Sequence, residues 1–465
     1  MGDAGGSHWF STMKPAEFHL SRSLLLWSVR ITFPPNPNLN ESFIGNRRTM
    51  LKRWRIRLLM ILAVLGPGII TANVDNDSGG ILTYSQAGAQ YGYTLLWTIL
   101  PITLALIVVQ EMCARMGVVT GKGLSDLIRE EFGLRLTFVL MILLVVVNYT
   151  NVVTEFIGIA GSLHLFRVTK FISVPLCAVL VWVMVVKGNY KSTEKIFLAA
   201  SLIYISYIFA GVLSQPSWHD ALLATVQLPQ RSVWHNDAYL YMAIGIVGTT
   251  IAPWMQFYLQ SSIVEKGIRV KDYATSRLDV VVGSFFTDLV AWFIVVACAA
   301  TLYVHGMGSI QVASDAAEAM RPLAGDYAFI LFAFGLFNAS IFAASILPLS
   351  TAYTVCEGLG LESGVDKNFK EAPFFYWLYS ILIAGGALTV LLLPDATLVN
   401  FAILSQVLNG VLLPVIIILM LLLINRHDLM GQYKNSRLWN VIAWGTSVIV
   451  IGMTLVMLWG MIPSS

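Results

Sequence analysis

Charged residues are scarce in this sequence. Of its 465 residues only 12% are Asp, Glu, Lys or Arg, whereas 57% are apolar, and the mean hydropathy is +0.73. A soluble domain usually carries about twice that charged fraction. So much apolar surface requires lipid as part of the solvent. The formal net charge of +3, without a long basic run, gives no reason to expect a nucleic-acid partner.

Cysteines and catalytic motifs are equally scarce. The four cysteines stand singly within apolar stretches, so neither a disulfide framework nor a zinc site is expected. The sequence has no Ser-His-Asp order, no His-Glu-x-x-His helix and no Gly-rich phosphate loop. We therefore expect neither a membrane enzyme nor an ATP-driven pump, and no cofactor.

The first 49 residues differ in composition from the rest of the chain. They contain a Pro-Pro-Asn-Pro-Asn run and one apolar patch, Leu24–Trp27, that is too short for a signal-peptide core or a span. We predict that residues 1–49 are a disordered or mis-assigned N-terminal extension. Residues 50–465 are predicted to form one transmembrane domain.

Apolar stretches of about 20 residues, long enough to cross roughly 30 Å of hydrocarbon, recur along the rest of the chain. We predict eleven spans in an all-α membrane protein, counting the first two stretches as one interrupted helix. Their approximate bounds are 56–74 with 79–90, 94–116, 136–165, 171–187, 194–213, 238–264, 278–304, 326–355, 373–393, 398–424 and 438–461.

The basic residues support this count, because cytoplasmic loops near spans are enriched in Lys and Arg. With the N-terminus inside, four of the 29 Lys and Arg residues fall in outer loops and the other 25 fall in inner segments. We predict a multi-pass protein of the cell (inner) membrane. Its N-terminus would be cytoplasmic and its C-terminus extracellular or periplasmic.

The first span contains residues that a membrane helix avoids. The stretch Asp75-Asn76-Asp77-Ser78-Gly79-Gly80 interrupts an apolar run. A charge at the bilayer centre costs about 3 kcal/mol or more. Backbone leaves a helix at that depth only where it lines a cavity or is buried in protein. The alternative is a surface turn between two half-spans, but residues 79–90 alone are too short to cross.

The sixth span contains a matching interruption. Gly245, Gly248 and Pro253 fall near its centre, and proline cannot donate a backbone hydrogen bond. For this helix alone, a simple proline kink is the alternative. Two interrupted helices five spans apart suggest a 5+5 inverted repeat, in which the unwound segments of helices 1 and 6 meet at the midplane and form an ion site.

Glu111, Glu155 and Asp288 are further acidic residues within the predicted spans. Glu111 is placed to pair with Arg115 one helical turn later. Glu155 and Asp288 lie deeper, and for each both a satisfied buried hydrogen bond and a role in an ion pathway are open.

Several short motifs resemble the Nramp family of divalent-metal transporters. They lie after the first and second spans and around the tenth, and they extend over residues 60–435. The motifs are Gln90-Tyr91-Gly92-Tyr93-Thr94-Leu95-Leu96-Trp97, Val119-Thr120-Gly121-Lys122-Gly123-Leu124, Ser405-Gln406-Val407-Leu408 with Leu413-Pro414, and Leu429-Met430-Gly431. The resemblance implies a LeuT-type fold with eleven helices.

The chain departs from that family at its functional motifs. Nramp transporters carry Asp-Pro-Gly-Asn in the first helix and Met-Pro-His in the sixth, where this chain has Asp77-Ser78-Gly79-Gly80 and Ala252-Pro253-Trp254. With Glu155 matched, the family's proton-accepting Asp falls at Val152. Residues 374–379 replace the arginines expected in the ninth helix. This combination resembles the Nramp-related magnesium transporters.

The resemblance and the chemistry together define the predicted site. The predicted metal-site residues are Asp77, Asp75, Asn76, Ala252 and Gln406. A site without the thioether offers only oxygen ligands, which suit magnesium. Magnesium is usually held by one or two carboxylates and keeps several of its waters.

We therefore predict transport of Mg²⁺, and also Mn²⁺, as a partly hydrated ion. Entry would be driven by the membrane potential and the ion gradient, without proton coupling. The alternative is a proton-coupled Mn²⁺ or Fe²⁺ transporter that uses Glu155 or Asp288. A channel is a further possibility, since sequence does not show whether two gates open together. The expected partners are the metal ion and the lipid bilayer, with no obligatory protein partner inferred.

Overall fold

A computed structural model describes residues 67–187, 204–230, 233–234, 236–306, 308, 310, 317, 321–365 and 367–460. The predicted N-terminal extension lies outside these residues, as do the beginnings of the first and fifth predicted spans. The domain bounds and the orientation in the membrane therefore stay predictions.

The described chain is almost entirely helical, and its first half holds eight α-helices. They are α1 (Pro67–Val74), α2 (Ser78–Tyr91), α3 (Ile99–Thr120), α4 (Leu124–Phe132), α5 (Leu134–His164), α6 (Lys170–Val186), α7 (Ile205–Leu213) and α8 (Trp218–Val226). The short helices α4 and α8 lie between predicted spans and were not expected from hydropathy.

The second half contains longer helices and a few single turns. The helices are α9 (Asp237–Thr250), α10 (Pro253–Glu265), α11 (Tyr273–Cys298), α12 (Arg321–Leu359), α13 (Pro373–Leu392), α14 (Asp395–Ile424) and α15 (Arg437–Gly460). A π-helical turn, Ala299–Tyr303, follows α11, and a non-helical Gly325 (φ 77°) interrupts α12 near its start. Single turns occur at Leu96–Thr98, Val270–Asp272, His427–Met430 and Gly431–Tyr433.

Eight helical segments within the described residues are long and apolar enough to cross a membrane. They correspond to predicted spans two, three and six to eleven. The fourth predicted span is represented by α6, a shorter apolar helix, and the first and fifth are described only in part. The multi-pass membrane architecture is thereby supported, while the count of eleven stays a prediction.

The interrupted helices occupy the centre of the bundle. In the most apolar stretch of the α9–α10 segment 89% is buried inside the protein. In the corresponding stretch of α15 only 22% is buried. Helix α2 contacts α5, α9, α11, α12 and α14, and its residues Ser78–Ala89 are all buried. Exposed apolar side chains lie on the outer helices, among them Leu143, Phe171, Leu388 and Val448. Such side chains suit a lipid environment.

Glycines permit the closest helix contacts, as is usual between membrane helices. Gly248 of α9 lies directly against the backbone of α14, where a Cβ atom would collide with the Gln406 carbonyl oxygen and the Gly410 nitrogen. At Gly245, one turn earlier, an added Cβ would meet its nearest side-chain atoms at ordinary distances of 3.5 and 3.6 Å. Of these two glycines in α9, only Gly248 is required by the packing.

We expect Gly248→Ala to destabilise the protein by about 1–3 kcal/mol through overpacking. Gly245→Ala, its matched control on the same helix, should be neutral or stabilising by up to ~1 kcal/mol, because alanine favours helix. The measurement is the thermal midpoint at which detergent-purified protein loses its monodisperse peak. Equal midpoints for the two variants would show that α9 and α14 are not packed this closely.

Candidate metal site

The first break lies between α1 and α2. Asp77 has extended backbone (φ −66°, ψ −179°) and caps α2, because its Oδ1 accepts a hydrogen bond of 2.6 Å from the Gly80 amide. Aspartate is a favoured N-cap residue, and its charge lies at the positive end of the helix dipole. The interruption predicted from the sequence is present, and the Asp77 carboxylate stands at its end.

The second break separates α9 from α10. Ile251 leaves the helix (φ −123°, ψ 58°), Ala252 is extended (φ −66°, ψ 138°) and Pro253 begins α10. A residue before proline avoids the helical region, and proline itself is well suited to the first helical position. The helix is therefore interrupted rather than simply kinked at the proline.

The two breaks lie at the same level of the bundle. A Cβ atom at Gly80 would lie 2.7 Å from the Asp75 carbonyl oxygen and 3.1 Å from Thr249 Oγ1. One turn further along α2, the Tyr84 hydroxyl bonds Thr250 Oγ1 at 2.7 Å. The end of α9 thus meets the beginning of α2, as the inverted-repeat interpretation predicted.

Gln406 reaches this place from α14. Its Nε2 lies directly against Gly79, so closely that a Cβ there would collide with it. Its amide is held by Asn151 Oδ1, 3.4 Å from Nε2, and by Asn409 Nδ2, which donates to Gln406 Oε1 at 2.9 Å. Coordination of a metal by Oε1 would require the amide group to turn over toward Gly79.

The remaining predicted residues, Asn76 and Ala252, lie in different surroundings. Asn76 turns to α11, where its Nδ2 donates to Thr287 Oγ1 at 2.6 Å and to the Thr287 carbonyl at 2.9 Å. Ala252 is buried at the N-cap of α10 and offers no side-chain ligand. The structure thus gathers Asp77, the Asp75 carbonyl and Gln406 around the start of α2, and Asn76 is anchored elsewhere.

Four acidic side chains are buried near the first break: Asp75, Asp77, Glu155 and Asp288. Glu155 of α5 contacts the break directly, since its Oε2 accepts from the Ser78 amide at 3.2 Å. Among the described residues, none of the four forms a salt bridge with Lys or Arg. A buried group of acids without counter-ions is a place where a cation is strongly favoured.

Glu111 behaves differently from those four. It forms the predicted ion pair with Arg115, at 3.1 Å, and accepts a hydrogen bond from the Tyr273 hydroxyl. The structural role predicted for Glu111 is confirmed, and it does not belong to the metal site.

Val152 occupies the position at which the resemblance places the family's proton-accepting Asp, and its contacts are apolar. Val152 is fully buried, and its side chain packs directly against Gly386 of α13. On α13, Phe375, Tyr376 and Tyr379 are buried in place of the expected arginines. Within the described residues this interface contains no basic side chain that could tune a neighbouring acid.

Two features of the site were not predicted from the sequence: the Thr249 hydroxyl and the amide network of Asn151 and Asn409. Thr249 Oγ1 has no hydrogen-bond partner among the described residues and faces the start of α2. Asn151 and Asn409 form the amide network that holds Gln406, with Asn409 Nδ2 donating to Asn151 Oδ1 at 3.0 Å. Asparagines within apolar spans were the available signal, because a buried amide must find partners.

No group of three or more His, Cys, Asp or Glu placed to hold a metal was found in the part of the chain that the structure describes. The polar groups that meet at the start of α2 are the Asp77 carboxylate, the Asp75 carbonyl, the Gln406 amide and the Thr249 hydroxyl. Hard cations such as Mg²⁺ and Mn²⁺ accept such ligands.

Comparison with known proteins places this architecture in a family. The model described as natural resistance-associated macrophage protein-like (Nramp) matches residues 68–460. The divalent metal cation transporter MntH of Ralstonia nicotianae is 30% identical over 418 residues, which cover 86% of this chain and 91% of the relative. The protein of the same name from Nostoc is 26% identical over 427 residues, covering 88% and 93%.

Solved structures share the fold. The manganese transporter of Eremococcus coleocola superposes with a TM-score of 0.69 at 22% identity, covering 90% of this chain and 91% of that one. A Na⁺-coupled sialic acid symporter gives 0.58 at 11% identity, covering 84% and 90%. The predicted LeuT-type fold is thereby confirmed. The names of these relatives give no support to the magnesium branch that the sequence motifs suggested. The chain belongs to the Nramp family.

Proposed function

We propose that the protein transports divalent metal cations across a membrane, with Mn²⁺ as its principal substrate and Mg²⁺ also accepted. The observation that carries the proposal is the Asp77 carboxylate at the start of α2, buried between two helix breaks and without a cationic partner. The sequence motifs favoured Mg²⁺ as the chief substrate, but the relatives' names favour the alternative, Mn²⁺. Oxygen ligands suit both ions.

Proton coupling through Glu155 is the driving mechanism that we propose with manganese transport. The Ser78 amide, next to Asp77, donates to Glu155 Oε2, whereas Glu155 Oε1 has no partner among the described residues. A divalent cation that binds beside this acid favours its ionised form, so metal binding releases a proton. We propose that Glu155 releases this proton toward the inside, so that protons and Mn²⁺ enter in the same direction.

The second candidate is uncoupled magnesium transport. Two observations favour it: Ala252 supplies no thioether at the second break, and Val152 packs against Gly386 where the family has a titratable Asp. Entry would then be driven by the membrane potential, which is worth about 4.6 kcal/mol for a divalent ion at 100 mV.

Asp77 is expected to be indispensable. Asp77→Ala should abolish Mn²⁺ uptake into proteoliposomes while leaving a protein that can be extracted and purified. Loss of the N-cap costs only about 1 kcal/mol. Asp77→Asn is the matched variant, because asparagine preserves the cap but removes the charge, and it should also be inactive. Near-normal uptake by Asp77→Asn would show that this carboxylate does not bind the ion.

The residue at position 252 is expected to set selectivity between the two ions. Ala252→Met should raise the ratio of Mn²⁺ to Mg²⁺ transport, because a thioether is a soft ligand that magnesium does not use. Ala252→Leu has similar bulk without sulfur and should slow both ions alike. If Met and Leu give the same ratio, Ala252 does not face the ion.

Coupling can be measured with a pH-sensitive dye inside the liposomes. We expect internal acidification that tracks Mn²⁺ uptake in the wild type and is lost in Glu155→Gln. The inside-negative potential should be set with valinomycin and K⁺, so that a charge-compensating proton leak is excluded. A flat dye signal during robust Mn²⁺ and Mg²⁺ uptake would instead favour the uncoupled second candidate.

A further inference from the structure

Helix α11 runs beside α1 in a regular register. Its Asp279 accepts hydrogen bonds from the first amides of α1, the nearer at 2.7 Å. One turn later Gly283 packs against Ala72, and after another turn Thr287 binds Asn76 in the unwound segment. Positions four residues apart on α11 therefore follow α1 up to the break, so that the next residue, Asp288, lies at the level of the break.

Asp288 and Asp75 form a pair of buried carboxylates there. Asp75 is 2% exposed and Asp288 is 3% exposed. Asp75 directly precedes Asn76 and Asp288 directly follows Thr287, so the hydrogen bonds between Asn76 and Thr287 bring the two acids to the same level of the bundle. Among the described residues, none of the four carboxylate oxygens has a hydrogen-bond partner. Two buried acids with no donor are costly unless a cation lies between them.

We propose that Asp75 and Asp288 bind a second divalent cation, at a site separate from the one formed by Asp77 and Gln406. When both acids are ionised, the pair carries two negative charges, which one divalent ion neutralises. The Asn76 Oδ1 and Ser284 Oγ atoms also lack partners in the described chain. Asn76 follows Asp75 directly, and Ser284 lies one turn before Asp288. All these ligands are oxygens, which suit Mn²⁺ and Mg²⁺.

The Asp75 residue is thereby divided between the two sites. Its carbonyl oxygen lies at the start of α2, near Gly80, whereas the proposal assigns its carboxylate, which has no hydrogen-bond partner among the described residues, to the site with Asp288. The Asn76 side chain, fastened to Thr287, holds the unwound segment against α11. Asp75 was predicted as a ligand of the same ion as Asp77, and the proposal assigns its carboxylate to a different one.

The inference rests on the proposed function, and counting bound ions tests the two separately. Purified protein is titrated with Mn²⁺, and the free ion is measured by its electron paramagnetic resonance signal. We expect two Mn²⁺ per chain in the wild type, one in Asp288→Asn and one in Asp77→Asn. Each substitution keeps the side-chain shape and removes one charge.

Glu357→Gln is the matched control. Glu357 is a half-buried acid on α12 whose Oε2 also lacks a hydrogen-bond partner among the described residues, and it packs against Gly123, outside the two sites. This variant should still bind two Mn²⁺. The thermal midpoint of each variant, with and without Mn²⁺, shows whether it is folded.

The possible results separate the two proposals. One Mn²⁺ in the wild type, lost in Asp77→Asn and kept in Asp288→Asn, would overturn the second site and leave the proposed function standing. Loss of all binding in folded Asp288→Asn would overturn the separation of the sites. A folded wild type that binds no Mn²⁺ would overturn the proposed function itself.

Discussion

The backbone leaves the helix after Val74, inside the membrane, and its polar groups need hydrogen-bond partners there. The arrangement of the helices around this segment depends on that requirement. Unsatisfied peptide groups are too costly at that depth, so the surrounding helices must supply partners. Asp77 caps α2 with its own side chain, Glu155 of α5 accepts from the Ser78 amide, and Asn76 is bound to α11. The requirement of one unwound segment therefore brings together three helices that are distant in sequence. The same contacts bring carboxylates to the unwound segment from more than one helix.

The second constraint is charge. Asp75, Asp77, Glu155 and Asp288 are buried together, and no Lys or Arg forms a salt bridge with them among the described residues. Elsewhere the protein pairs such groups, as at Glu111 and Arg115. An uncompensated cluster in the bilayer interior requires protons or metal ions for neutrality. Transport of divalent cations is consistent with this arrangement.

The chain keeps the architecture of the Nramp family but changes the chemistry at the breaks. Ala252 leaves the second break without a side-chain ligand, and the Val152–Gly386 contact makes the α5–α13 interface apolar. Gln406 is retained and is held by an amide network with Asn151 and Asn409. The fold therefore does not by itself decide which divalent ion is preferred.

Hydropathy and helix-breaking residues determined much of this protein by themselves, namely the apolar spans and the interruptions at Asp75–Asp77 and near Pro253. These are local properties, because the cost of a charge or a proline in a membrane helix depends little on the neighbours. Only the tertiary structure decided where side chains point. It turned Asn76 to Thr287 and brought Thr249 to the start of α2. Such pairings follow from the register between helices that lie some 200 residues apart, as the separation of 211 between Asn76 and Thr287 illustrates. Because that register is produced by packing across the whole bundle, no local pattern in the sequence could reveal it.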